Sequence, residues 1–317
     1  MEYRNLGRSG LQVSVFSLGS WLTFGDTVDP DTTEQIMSAA YEAGINYFDG
    51  AEAYAGGKAE ACMGTVIKRQ GWRRDSYILA GKASPNAGSG PGPSQKGMNR
   101  KHLIDCCDQT LKRFGVDYLD LYFCHRPDSK TPLEETVRCM NDLISQGKIC
   151  YWGTSEFAPA DLLEMHAIAD RLGLIGPTME QSGYNMLGRK RVEIDLKPLT
   201  AGRGMGITAY CPLASGLLTG RYNDGMPAEG RFNDFSWMQG QITEDKINRV
   251  RQLSTLASDL DCKVHHLALA WLLKNPVVST AILGASKPHY IPDNLKALDV
   301  LEKLSDEVIM KIADILA

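Results

Sequence analysis

Short runs of β-branched and aromatic residues alternate along the chain with longer segments in which apolar residues recur at helical spacing, the pattern of βα units around a parallel sheet. Eight such units follow an opening hairpin over 3–6 and 11–13, turned around Gly10. The pattern predicts strands at 15–18, 46–48, 77–81, 118–124, 150–153, 178–180, 206–209 and 280–283. Helices are predicted over 31–43, 58–69, 99–113, 132–146, 158–172, 190–201, 245–260, 264–274, 288–297 and 305–316. Eight alternating units point to an α/β fold, a (β/α)₈ TIM barrel with an N-terminal β-hairpin.

Local chemistry marks several boundaries. Asp31, before Thr32, Thr33 and Glu34, reads as an N-cap with an acidic first turn, and Gly44 stops that helix. Pro132 with Glu134 and Glu135 suits a helix start, since proline's missing N–H costs nothing there and carboxylates favour the positive dipole end. Two long loops stand out at 83–98, rich in Gly, Pro and Ser, and at 214–242, which contains Arg221, Arg231, Phe232 and Trp237. In a barrel, loops that follow strands build the active site at the C-terminal face.

The 317 residues are 43% hydrophobic and 23% charged. That is the make-up of an ordinary globular protein, and the length is compatible with one barrel domain over 1–317. A net charge of −4 with scattered Lys and Arg excludes a basic nucleic-acid footprint. The N-terminus lacks an apolar core of signal-peptide length, and the most apolar run, 267–273, is too short to span a membrane. A cytoplasmic location without membrane insertion is expected. Eight cysteines without a C-x-x-C pair or zinc-ligand spacing are expected to be reduced thiols, with no metal.

Candidate chemistry lies at the strand ends. Asp49 directly follows the second strand with Tyr54 five residues on, Lys82 closes the third strand and His125 closes the fourth. Ends of consecutive parallel strands share one barrel mouth. A tyrosine beside a lysine is a candidate general acid, its pKa expected to be lowered by the cation. Asp49 would hold Lys82 charged, and His125 would give a carbonyl oxygen a second hydrogen bond. Trp21 and Phe24, with Tyr54, His125 and Trp237 of the second long loop, are expected to line an apolar pocket able to accept an aromatic or aliphatic carbonyl.

These residues resemble the aldo-keto reductases, and within them the branch of potassium-channel β-subunits and their bacterial and plant relatives. The resemblance is carried by Gly44-Ile45-Asn46-Tyr47-Phe48-Asp49 with Ala51-Glu52-Ala53-Tyr54, the Lys82 strand end, and His125-Arg126-Pro127-Asp128. Gly153-Thr154-Ser155, Tyr210-Cys211-Pro212-Leu213 and Leu283-Gly284-Ala285-Ser286 extend it. It implies a catalytic tetrad of Asp49, Tyr54, Lys82 and His125, and NADPH (NADP+) extended across the mouth. Ser155 and Gln181 would bond the nicotinamide amide and Tyr210 would stack under its ring. Cys211, Pro212, Leu213 and Ser215, with Arg221, would line the pyrophosphate. Arg231 and Ser286, near Lys287, would take the 2′-phosphate, and Asp293 and Asn294 would face the adenine. Ser20, Trp21, Asp49, Gly284 and Tyr290 complete the implied cofactor set.

The glycines of Gly202-Arg203-Gly204-Met205-Gly206 precede a strand, whereas a dinucleotide fingerprint follows one, so they are not a Rossmann motif. Gly50 stands where the family usually has a small hydroxyl residue, Tyr290 where Arg or Gln is usual, and Asp293 where Glu is customary. Pro292 interrupts the start of that helix. The resemblance leaves two readings: a carbonyl reductase, or a nicotinamide-binding, redox-sensing regulatory subunit of a membrane channel. Channel-bound relatives typically carry Asn at the position of His125, which favours the enzyme. Relatives in this branch form tetramers or larger rings, which makes a homo-oligomer one expectation.

Overall fold

In a computed structural model of the chain, residues 1–86 and 92–317 are described. Part of the predicted 83–98 loop, 87–91, lies outside them. Strands β1 (Tyr3–Asn5) and β2 (Gln12–Ser14) pair antiparallel, followed by β3 (Phe16–Gly19), β4 (Tyr47–Asp49), β5 (Ile78–Ala83) and β6 (Leu119–Cys124). The remaining strands are β7 (Ile149–Ser155), β8 (Met179–Gly183), β9 (Gly206–Tyr210) and β10 (Val278–Gly284). Strands β3 to β10 pair in parallel in chain order, and β10 returns to β3 to close the barrel.

The predicted strands and the hairpin are all present. Alternation along them decides what the barrel encloses, because successive strand side chains point to opposite faces. Tyr47, Ile78, Ala80, Leu121, Phe123 and Met179 point inward and pack with Leu6 and Val13 of the hairpin, which plugs the N-terminal end. Continuing the same inward rows by two residues gives Asp49 after Tyr47, Lys82 after Ala80 and His125 after Phe123. Outward-facing residues such as Phe48, Leu79, Tyr122 and Trp152 join the large core beneath the surrounding helices.

Most helices fall where periodicity puts them, with informative exceptions. Helix α1 (Pro30–Glu42) is capped by Asp29, not Asp31: Asp29 Oδ1 accepts from Thr32 N at 2.9 Å, and Pro30 takes the first helical position. The predicted 190–201 helix divides into a π-turn (Arg191–Asp195) and a short helix (Lys197–Gly202). Pro198 lacks the N–H that a continuous helix would need. The 288–297 segment likewise divides into Tyr290–Leu295 and Ala297–Val300, with Pro292 tolerated in the first turn.

The 214–242 loop is not open chain. It contains 3₁₀ turns at Ala214–Thr219 and Ser236–Gln241 and a helical turn at Arg231–Asp234. Leu217, Tyr222, Phe232 and Met238 pack there with Ile247 as a satellite core. Helix Val264–Lys274 carries the apolar 267–273 run, buried on every side. No helix among the described residues is long and apolar enough to cross a membrane.

Candidate active site

A cavity of about 760 Å³ opens at the C-terminal ends of the strands. Asp49, Tyr54 and His125 line it together. Lys82 lies wholly buried behind them, its Nζ donating to Asp49 Oδ2 at 2.5 Å and to Gly50 O at 2.8 Å. The other carboxylate oxygen of Asp49 accepts from Gln181 Nε2 at 3.1 Å and Tyr47 OH at 3.2 Å. The ammonium stands 4.8 Å from the centroid of the Tyr54 ring, and that ring meets His125 edge-on at 5.5 Å.

The departure at Gly50 has a steric cause. A Cβ there would lie 2.8 Å from Phe114 Cζ and 3.3 Å from Glu60 Cγ, so a hydroxymethyl group has no room. Gly183 similarly leaves space for Tyr210, whose ring would come within 3.2 Å of an added Cβ.

The electrostatics correct one expectation. Burial dominates at Tyr54 and, with the Asp49 charge, pushes the phenol well above its usual range, while Arg126 pulls it back only in part. Tyr54 is thus held protonated, as a proton donor must be, and it is not poised as a phenolate. Burial, followed by the Lys82 and Arg126 cations, holds His125 well below the usual imidazole range. Its ring is neutral at physiological pH. His125 Nδ1 is buried with no hydrogen-bond partner. A buried N–H without an acceptor is the costlier orphan, so the favoured tautomer carries its proton on Nε2. Burial pulls Lys82 down and Asp49 pulls it up.

Of the residues expected at a cofactor, Trp21, Asp49, Ser155, Gln181, Tyr210 and Cys211 line the cavity. So do Pro212, Leu213, Ser215, Arg221, Arg231 and Gly284, and, farther along, Ser286, Tyr290, Asp293 and Asn294. Ser20 does not line it: fully buried, it donates to Asp49 O at 2.9 Å and buttresses the strand end. Phe24 is 1% exposed within the core, and Trp237 is 66% exposed and does not line the cavity. Of the residues expected in the pocket, Trp21, Tyr54 and His125 line the cavity and Phe24 and Trp237 do not. An apolar residue in a loop reads alike whether it faces a pocket, the core or water.

The cavity has the donor chemistry a dinucleotide needs. Arg221 and Arg231 make no ion pair among the described residues, and Arg231 lies 5.8 Å from the Trp21 ring centroid. Cys211, Ala214 and Ser215 hold φ of 50°, 49° and 58°, a run of left-handed non-glycine residues of the kind found at ligand-binding loops. Gln181 donates from its amide nitrogen to Asp49, and its carbonyl oxygen accepts no hydrogen bond among the described residues.

Sequence reasoning missed Arg126 as a site residue, along with Leu22, Thr27 and Ser84 of the lining. Arg126 was visible only as part of a motif. Two groups of possible metal ligands also come together through the fold, Glu52–His102–Cys106 and His265–His266–Asp293. Each has internal partners: Glu52 Oε1 accepts from Ser84 N at 2.6 Å, and Lys263 Nζ lies 3.1 and 3.2 Å from the Asp293 oxygens. Asp293, expected at the adenine, is thus also the counter-ion of a basic cluster, its carboxyl held down at about 2.

Burial and the neighbouring His266 push His265 down to about 4. Between pH 4 and 6.5 the unfolded chain binds this proton and the native protein does not, so stability rises with pH across that window. His265→Gln is expected to make the pH dependence of the urea midpoint shallower there. An identical slope in the variant would show that His265 titrates alike in both states.

A model of the aldo/keto reductase family matches residues 16–317. A "Probable voltage-gated potassium channel subunit beta" of Arabidopsis thaliana is 42% identical over 320 residues, covering 100% of this chain and 97% of its own length. Its namesake in Oryza sativa subsp. japonica is 44% identical over 316 residues, covering 98% and 95%. With a family match over almost the entire length, a closed parallel barrel and strand-end residues gathered in one cavity, this chain belongs to the aldo/keto reductase family, a family of oxidoreductases.

Proposed function

We propose that this chain reduces aldehydes and ketones to alcohols with NADPH, Tyr54 serving as general acid. The observation that carries this reading is the buried Lys82–Asp49 pair behind Tyr54, with the Tyr54 ring edge-on to His125 at the cavity wall. When bound, NADPH supplies the hydride for the carbonyl carbon. Tyr54 passes its proton to the carbonyl oxygen, and His125 Nε2–H gives that oxygen a second hydrogen bond, so its developing charge meets two donors. Lys82 offsets the charge left on the phenolate, and Asp49 keeps the ammonium charged and in place. Carbon gains hydride, oxygen gains the proton, and the product is an alcohol.

Arg231, Ser286 and Lys287 would hold the 2′-phosphate, with Arg221 and the 211–215 loop along the pyrophosphate. Ser155, Gln181 and Tyr210 would hold the nicotinamide, and Asp293 and Asn294 would lie at the adenine. Cations with a hydroxyl are the chemistry a phosphate needs. Purified protein is expected to consume NADPH in the presence of 4-nitrobenzaldehyde, and absence of turnover would overturn the reading. In fluorescence titrations Arg231→Ala should weaken NADPH on the order of ten-fold more than NADH, as for loss of a charge-assisted hydrogen bond. Equal weakening would remove Arg231 from the 2′-phosphate.

The names of the relatives favour a second reading, a nicotinamide-binding regulatory subunit on a channel. His125, able to donate to a carbonyl oxygen, weighs toward the enzyme. Cofactor binding without turnover on any aldehyde would shift the balance to the regulatory reading.

A further inference from the structure

Arg126 stands at the catalytic end of the cavity, directly after His125. Its Nη1 donates to His125 O at 2.6 Å and to Ser155 Oγ at 2.8 Å. Those bonds pin the guanidinium, while Nε and Nη2 make no hydrogen bond among the described residues. A pinned planar fork with two free donor groups is prearranged for a carboxylate.

The acids around it are committed elsewhere. Asp49 holds Lys82. Glu156 faces Arg191 at 3.3 Å and accepts from Gly183 N at 3.0 Å. Asp128 accepts from Thr131 Oγ1 at 2.6 Å, Met98 N at 2.9 Å and, through its other oxygen, Lys130 N at 3.0 Å. Among the described residues no carboxylate pairs with Arg126, and residues 87–91 contain no acid.

The cofactor does not supply the missing anion either. Under the reading above, its phosphates engage Arg221, Arg231 and Lys287, and the nicotinamide end, beside Ser155, carries no anionic group. Arg126 is then the cation left over, beside the two groups that meet the carbonyl oxygen.

We infer that Arg126 is an anion subsite for the substrate, and that the preferred carbonyl compounds carry a carboxylate. The inference rests on the carbonyl-reductase reading for the identity of the ligand as a substrate. Arg126 is exposed at the mouth, so water competes for it and the preference it confers is moderate, about ten-fold.

The test compares 4-formylbenzoate with its methyl ester, which replaces the anion by a neutral group; the ester's added methyl and its more reactive carbonyl act alike in every variant, so the change of the acid-to-ester ratio on substitution isolates the charge. Each is titrated by quenching of intrinsic fluorescence and assayed with NADPH, using wild-type protein, Arg126→Met and Arg126→Lys. The wild type is expected to prefer the acid over the ester, chiefly through KM. Arg126→Met should lower the acid-to-ester ratio about ten-fold in both binding and kcat/KM, with partial recovery in Arg126→Lys. Because the ratio is read, any general loss from disturbing Ser155 cancels. If neither aldehyde is turned over but the acid binds wild type more tightly than Arg126→Met, the reductase reading fails and the anion subsite stands. An unchanged acid-to-ester ratio in Arg126→Met overturns the subsite whether or not turnover occurs.

Discussion

Tyr54→Phe is expected to lower the rate of aldehyde reduction on the order of 10²-fold or more, the usual contribution of a positioned general acid. The variant removes one oxygen and leaves the ring, so the edge contact with His125 at 5.5 Å and the Lys82 ammonium at 4.8 Å from the ring centroid have no reason to change. The loss should therefore appear in single-turnover rates, with cofactor titration close to wild type. The pH profile carries independent information. Burial raises Tyr54 and lowers His125, so neither group changes protonation near neutrality and the wild-type rate should show no limb near pH 6.5. Unchanged single-turnover rates in the variant would remove Tyr54 as the acid, and a limb near pH 6.5 would argue that His125 titrates during reduction.

Asp49→Ala is expected to destabilise the protein by about 3–5 kcal/mol, the range for breaking a buried ion pair by removing one partner. Lys82 has no exposure, and its other partner is a single carbonyl, Gly50 O at 2.8 Å. Truncation also strands Gln181 Nε2 and Tyr47 OH, which share Asp49 Oδ1. Burial already lowers the Lys82 pKa, and removing the carboxylate lowers it further. With the native pKa below the unfolded one, native protein binds fewer protons in the interval between them, so stability rises with pH there. The deficit should consequently shrink as pH is raised toward the ordinary lysine range. Denaturant unfolding measures both effects, and Asp49→Ala/Lys82→Met, which removes the stranded charge, should recover much of the loss. A single variant as stable as wild type would mean that Lys82 finds another anion or water.

What could be read from the sequence about this site was what short-range patterning encodes. Alternation with period two places Tyr47 and Asp49, Ala80 and Lys82, and Phe123 and His125 on common inward rows. Three of the four candidate positions thus follow from strand parity once the barrel is assumed, and the structure brings Asp49 and His125 into one cavity with Tyr54 while Lys82 lies buried behind them. The Gly50 departure was legible as an oddity, but its cause, Phe114 arriving from a helix more than sixty residues later, was not.

Loops hid the rest. Trp21, Phe24 and Trp237 look alike in sequence, yet one lines the cavity, one is core and one faces solvent. The 214–242 segment lacks long periodicity because its satellite core is built from single residues on separate turns. His265, His266 and Asp293 meet only because two distant helices pack together.

The sequence by itself determined the order of strands, the parity that turns Asp49, Lys82 and His125 inward, and the family. These depend on neighbours two to four residues apart, a range at which backbone geometry acts directly. Only the tertiary structure decided how those groups are charged and which are left without partners. Burial outweighs the neighbouring cation at Tyr54, Lys82 is sealed against Asp49, and Arg126 is pinned with no carboxylate paired to it among the described residues. Desolvation and ion pairing are sums over everything packed around a group, and most of that surrounding comes from strands and loops far away along the chain.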